Sequence, residues 1–258
     1  MRLRVILDEF PDDPYLNLAV DETLLLRGKL PVLRIWRNDK SVILGIRSKV
    51  ENEVNLNYLK LENVKLARRI TGGGAVFHDM GNVNYTIIID RESYKDKEPI
   101  DLLYNFLLRG IIHSIEKISN SSYEVRVYNE TDVTYKGFKV SGNAGYITKD
   151  KVLLHGTLLV SANIELLYKV LIIPPKDYKE RKEREGKDVN MIKYRVNNLS
   201  SLLDRKITYE EVTNAIITSF SNLLNMEPYL DRLSKEEIFL SNELKNNKYS
   251  NPNFIFKN

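Results

Sequence analysis

Apolar positions along this chain switch between a helical and a strand-like period, and the switches fall at turn-forming residues. After Asp12-Asp13-Pro14, residues Leu16, Ala19, Val20, Thr23 and Leu24 recur at i, i+3, i+4, i+7 and i+8, which predicts an amphipathic first helix. Val32–Arg37 and Ser41–Gly45, separated by Asn38-Asp39-Lys40, predict a hairpin. Asn55–Lys60 with Glu62 predicts a helix that leads to a strand over Val64–Ala67. From Asp101 to about Lys117 the stripe Leu103, Phe106, Leu107, Ile111 and Ile115 predicts a second long helix, on which His113 is a packing residue. Tyr123–Val127 alternates as a strand, and 137–147 with 151–160 predict an antiparallel hairpin through Thr148-Lys149-Asp150. Thr208 and Glu211 predict a capping box for a helix whose apolar face is Val212, Ala215, Ile216, Ser219 and Phe220. Hairpins with helices at intervals predict an α+β domain with a mixed, largely antiparallel sheet flanked by helices.

Between the strand ending at Ala67 and the apolar run Val83–Ile89 lies the most informative segment, Arg68-Arg69-Ile70-Thr71-Gly72-Gly73-Gly74-Ala75-Val76-Phe77-His78. Consecutive glycines cost backbone entropy, so they suit a main chain that needs φ > 0 or close approach by a ligand. Arginines directly before them suit an anion. The P-loop pattern and the dinucleotide fingerprint are both missing. The β-branched and aromatic residues that follow predict a loop joining two strands, with an anion held by loop amides and arginine rather than by a helix dipole. Alone, a triple glycine fits a plain tight turn about as well.

Composition narrows the classes. The 258 residues allow one large domain, and 39 basic against 35 acidic residues give a net charge of +4, too even for a nucleic-acid partner. No run suits a membrane span and no leader pattern opens the chain, which predicts a cytoplasmic protein. Cysteine is absent, which removes disulfides, thiolate metal sites and thiol nucleophiles. Three histidines without a His-Glu-x-x-His motif speak against zinc. From Pro174 to Val189 the chain is almost wholly polar, which predicts either disorder or a functional lid near 175–188, ahead of a helical part from about 208.

The glycine segment, then Lys139-Val140-Ser141-Gly142-Asn143-Ala144, then His155-Gly156-Thr157-Leu158-Leu159, resembles the lipoate-protein ligase family in content, order and approximate spacing. The likeness extends to Asn17–Glu22, Leu33–Arg37, Glu53-Val54-Asn55 and Ile192–Leu199, so it spans nearly the whole chain. It implies a class II aminoacyl-tRNA synthetase/biotin ligase-like catalytic domain. It also implies a two-stage reaction: lipoate and ATP give lipoyl-AMP and pyrophosphate, and a carrier lysine then attacks the mixed anhydride. ATP and Mg²⁺ are then co-substrates, with no tightly bound cofactor. The implied acceptors are lipoyl carrier domains of 2-oxoacid dehydrogenase complexes or an H-type protein of glycine cleavage.

By the same resemblance Lys139 is the catalytic cation, touching both the acyl carboxylate and the adenylate phosphate. Arg69, Gly72, Gly73 and Gly74 belong to the nucleotide and lipoate cradle, and Gly74, Ala75, Val76 and Phe77 contact ATP. Asn84 and Ser141 line the cavity, while His78 and His155 flank it in either a binding or a structural role. Asp132 is the implied Mg²⁺ ligand, although it sits in Asn129-Glu130-Thr131-Asp132 where the family reads Asn-Asp. The polar segment 176–187 corresponds to a loop that folds over the adenylate. Many bacterial relatives continue into a further carboxy-terminal domain, which some archaeal relatives supply as a second polypeptide, so residues 1–258 read as one catalytic domain without that accessory domain. Octanoyltransferases of this fold use a cysteine thioester and are disfavoured. A biotin ligase lacks support because Gly-Arg-Gly-Arg is missing, and a carrier-binding subunit without activity would not need both Lys139 and the glycine loop.

Overall fold

A computed structural model describes residues 2–172 and 196–257; the lid expected near 175–188 and the family match at 192–195 lie outside the described residues. Among the described residues eleven strands form two sheets: β1 (Arg2–Ile6), β2 (Val32–Trp36), β3 (Ser41–Leu44), β4 (Lys65–Arg68), β5 (Val76–His78), β6 (Asn82–Asp90), β7 (Val125–Tyr128), β8 (Asp132–Tyr135), β9 (Phe138–Ile147), β10 (Lys151–Leu159) and β11 (Glu227–Asp231). The larger sheet runs β11-β1-β2-β6-β10-β9-β8-β7, and the smaller runs β4-β3-β5. Among the described residues the parallel pairs of the larger sheet are β1 with β11 and β1 with β2. The expected mixed, largely antiparallel sheet is therefore what forms.

Both faces of the large sheet are covered, which is why β6 is buried along all but its last residue. One face, carrying Val83, Tyr85, Ile87 and Ile89, packs under the helices Leu108–Ser119 and Tyr209–Leu224. The other, carrying Ile88 and Leu153, receives Val20, Leu24 and Leu25 of the first helix, Pro14–Arg27, which Asp13 caps by accepting from the Leu16 amide. The predicted stripe on 108–119 is buried at Ile111 and Ile115, and a π-helical stretch, Leu102–Leu107, precedes it. Thr208 caps 209–224 by accepting from the Glu211 amide, while the Glu211 carboxylate pairs with Arg205. Beyond 208 the chain is not purely helical, because β11 joins the sheet edge beside β1.

The hairpin expected across Asn38-Asp39-Lys40 does not form. β2 pairs with β6 in the large sheet and β3 pairs with β4 and β5 in the small one, so this turn carries the chain between sheets. The reason is the Asn38 side chain, which is fully buried and accepts from Asn17 Nδ2 at 2.8 Å.

Helices 108–119 and 209–224 approach most closely at Gly110, where an added Cβ would lie 2.4 Å from the Phe220 ring. Gly110→Ala overpacks this contact and should lower unfolding free energy by roughly 1–3 kcal/mol. Chemical denaturation checks this; an unchanged midpoint would show that Phe220 can move aside.

Candidate functional site

The glycine loop connects β4 to β5, and its shape follows from Arg69. This guanidinium is buried and meets no carboxylate directly among the described residues. Instead Nε donates to Thr71 Oγ1 at 2.9 Å, Nη1 to the Ile43 carbonyl at 3.0 Å, and Nη2 to the carbonyls of Gly72 and Gly74 at 2.6 and 2.9 Å. Burial lowers its pKa to about 10, so it stays charged at neutral pH. All three guanidinium nitrogens thus brace the loop, because a buried cation without a close anion gathers carbonyl dipoles. Gly72, Gly73 and Gly74 remain exposed, and their amides have no acceptor among the described residues. Gly73 has φ +86°, the left-handed region that a side chain rarely adopts. Its carbonyl lies so close to Gly45 that a Cβ there would be 2.0 Å away. Arg68 holds the supporting layer, donating to the carbonyls of Gly45 and Ser48 at 2.7 Å and to Ile255 at 2.9 Å.

A chain of buried polar groups runs from this loop into the large sheet. Thr71 Oγ1 lies 2.7 Å from His155 Nε2, and His155 Nδ1 lies 3.6 Å from Asp21 Oδ2. Asp21 accepts from Arg34 Nη1 at 2.8 Å and from Thr86 Oγ1 at 2.7 Å. Arg34 also donates to Asn17, which donates to Asn38, whose Nδ2 lies 3.2 Å from His78 Nδ1. Burial and the positive charge of Arg69 push His78 down to about 3, so its ring is neutral. Burial also lowers His155, against the pull of Asp21. Both histidines therefore sit in packed, hydrogen-bonded positions beneath the loop. Asn17, Asp21 and Thr71 lie in the family-like segments and Asn38 in the expected turn, yet their joining in one buried network has no signal in the sequence beyond Arg34, an arginine inside Val32–Trp36 that signals a buried charge needing an acid.

On β6 and β10 the register puts Asn84 opposite Thr157 and Thr86 opposite His155, all on the face toward the glycine loop. Thr157 pairs in turn with Gly142 of β9, and Gly142 with Asp132 of β8. The next pairs along β8 are Val133 with Ser141 and Thr134 with Lys139, so β9 carries one extra residue. This bulge restores Lys139 to the face of Gly142 and Asp132. Its ammonium reaches Asp132 Oδ1 at 2.6 Å, with 31% of the side chain exposed. The Lys139 backbone bridges to Val196, which packs in the apolar cluster containing Phe77 and Ala75. Phe77 is fully buried in that cluster, whereas Ala75 and Val76 are half-buried.

Ser141 does not line this face. It stands opposite Val133 of the main core, and its hydroxyl donates to Asn143 Oδ1 at 3.3 Å. The Asp132 carboxylate is engaged by Lys139, and the described residues contain no group of three or more His, Cys, Asp or Glu that could hold a metal, so a Mg²⁺ here would share one carboxylate with the phosphates of a bound nucleotide. Asn84, by contrast, is 1% exposed, yet neither its Nδ2 nor its Oδ1 has a partner among the described residues. An unpaired buried amide costs about 1–3 kcal/mol, a cost that a ligand hydrogen-bonding there would remove.

Residues 13–221 match the family model of the lipoyl protein ligase A/B catalytic domain. The chain is 31% identical over 260 residues to lipoate-protein ligase A subunit 1 of Thermoplasma acidophilum, covering 97% of this chain and 95% of that one. It is 30% identical over 267 residues to an octanoyltransferase of Oceanobacillus iheyensis, covering 96% and 94%. Among solved structures it resembles a bi-partite lipoate protein ligase studied with its E2 lipoyl domain from T. acidophilum, with TM-score 0.83, 30% identity and coverage of 99% and 96%. A T. acidophilum protein with bound lipoic acid gives 0.83, 28%, 99% and 100%. A lipoate-protein ligase A bound with ATP gives 0.83, 30%, 99% and 99%.

The buried neutral histidines predict a pH dependence. A depressed folded-state pKa means that the unfolded chain takes up the proton first. The His78 contribution is fully present above about pH 6.5 and is lost as pH falls from there toward about 3, at about 1.4 kcal/mol per unit per proton. His155 acts in the same direction. The urea midpoint should therefore drop between pH 6.5 and 4, and His78→Gln should flatten the slope. Parallel slopes in variant and wild type would overturn the buried-histidine account.

Proposed function

Because this chain belongs to the lipoyl protein ligase A/B catalytic-domain family, we propose that it is an ATP-dependent lipoate-protein ligase. It joins lipoate to AMP and passes the lipoyl group to a lysine of a lipoyl carrier domain. The observation that carries this reading is the bulge-directed ammonium of Lys139 on the same sheet face as the unpaired Asn84. The ligand-bound relatives, one with lipoic acid and one with ATP, support it.

In the first stage a lipoate carboxylate oxygen attacks the α-phosphorus of ATP, and the bond to pyrophosphate breaks. Both partners are anionic, so the barrier is largely electrostatic. A unit charge about 4 Å from the developing charge is worth roughly 4 kcal/mol at an effective dielectric near 20. Lys139 supplies that charge, held beforehand by Asp132. The amides of the glycine loop bind phosphate oxygens, Asn84 hydrogen-bonds the acyl or phosphate end, and Ala75 and Val76 give apolar contact. Arg69, His78 and His155 keep the loop in shape. In the second stage the carrier amine attacks the anhydride carbonyl, AMP leaves, and the amine proton passes to solvent. Mg²⁺ would enter with the nucleotide, while Asp132 holds the Lys139 ammonium.

Carrier choice is part of the proposal: an E2-type lipoyl domain is supported by the bi-partite relative, and an H-type protein is a further acceptor to assay. The same relative supports a second polypeptide as partner in adenylation. The octanoyltransferase relative favours a second reading, acyl transfer without ATP. With no cysteine in the chain, a thioester intermediate has no place to form.

The test is lipoate-dependent exchange of pyrophosphate into ATP, run with and without an accessory polypeptide. Lys139→Ala should slow exchange at least about 10²-fold with its melting curve unchanged. Undiminished exchange in that variant refutes the assignment.

A further inference from the structure

Glu53 takes no part in the chemistry above, yet its side chain lies on the glycine loop. It ends the short helix Val50–Glu53, and its Oε2 accepts from the Ala75 amide. The same oxygen would be 3.5 Å from a Cβ placed on Gly74, so the carboxylate also lies close to Gly74. On the other side of the loop the buried Arg69 guanidinium holds the carbonyls of Gly72 and Gly74. The charge of Glu53 acts on both Arg68 and Arg69. A cation and a carboxylate thus hold the same loop, and the carboxylate takes the Ala75 amide next to the unpaired amides of Gly72, Gly73 and Gly74.

We propose that Glu53 is a resident anion of the glycine loop, occupying the place of a nucleotide phosphate until ATP expels it. This rests on the ligase reading and adds to it a competition between two anions for one N–H. A single amide hydrogen cannot serve both oxygens at full strength, and two anions in contact repel in a partly buried setting. The Glu53 backbone is well placed to stay while its side chain leaves. Its carbonyl accepts from the Ile172 amide at 2.9 Å, and the neighbouring Val54 bridges to Leu171. When the site is empty, the carboxylate satisfies the Ala75 amide and counters Arg69. A ligand with one weakly held phosphate competes poorly, whereas ATP, with several phosphate contacts, displaces the carboxylate.

Calorimetric titration of ATP, and separately of lipoate, into the wild type, Glu53→Gln and Glu53→Ala tests this. The amide of Glu53→Gln keeps the size of the side chain and removes its charge, so ATP should bind about tenfold tighter, equivalent to about 1.4 kcal/mol. Without ligand the same variant should melt at a lower temperature, because the loop loses a charge-assisted acceptor. Opposite signs in these two readouts distinguish displacement from a merely structural role. ATP affinity that is equal or weaker in both variants overturns the inference while leaving the ligase reading intact. Tightening confined to lipoate would assign the position to the acyl carboxylate and overturn the phosphate assignment. Failure of the wild type and both variants to bind ATP, with and without an accessory polypeptide, sinks the ligase reading and this inference together.

Discussion

A buried guanidinium with no carboxylate in direct contact among the described residues is the constraint on which the site depends. Arg69 cannot leave its charge unmet in a dry interior, and the nearest acceptors are the carbonyls of its own loop. Holding the Gly72 and Gly74 carbonyls leaves the amides of Gly72, Gly73 and Gly74 without acceptors among the described residues, the feature the proposed function assigns to phosphate. Glycine follows as a requirement, because Gly73 adopts a positive φ and its carbonyl passes almost against Gly45. The shape of the loop is therefore a by-product of solvating one cation with backbone dipoles.

The buried polar chain from Thr71 to His78 serves a different need. Two sheets of different strand order must keep one relative placement, and apolar packing tolerates small slides. Asp21 on the first helix binds Arg34 of β2 and Thr86 of β6 and stands near His155 of β10, so it ties one helix to three neighbouring strands. Asn17 and Asn38 extend the tie to His78 in the small sheet. Each group satisfies another, so the arrangement tolerates little rearrangement, and the loss of any member strands a buried partner.

How much of this was legible in the sequence differs by residue. The glycine loop was readable because its backbone demands exclude most other residues, and β6, β9 and β10 were readable as long β-rich runs. Asn38-Asp39-Lys40 misled because it has the composition of a turn, while the burial of Asn38 depends on Asn17 from another element. Asn17 and Asp21, four apart on the first helix, and Arg34 inside an apolar strand were visible as misplaced polar residues, but their pairing needs the tertiary fold. Ser141 was misplaced for a subtler reason. Its face depends on how β9 pairs with β8, which period-two alternation cannot reveal.

That extra residue in β9 has a consequence for how such a site can change over time. Removing one position between Val140 and Gly142 would leave the sheet continuous and most of the core filled. It would also turn the ammonium toward the side where Val133 lies, away from Asn84. Insertions and deletions here act as a parity switch, able to silence chemistry while sparing the fold. A homologue that lacks the additional residue could look intact by every measure of similarity and still be catalytically mute.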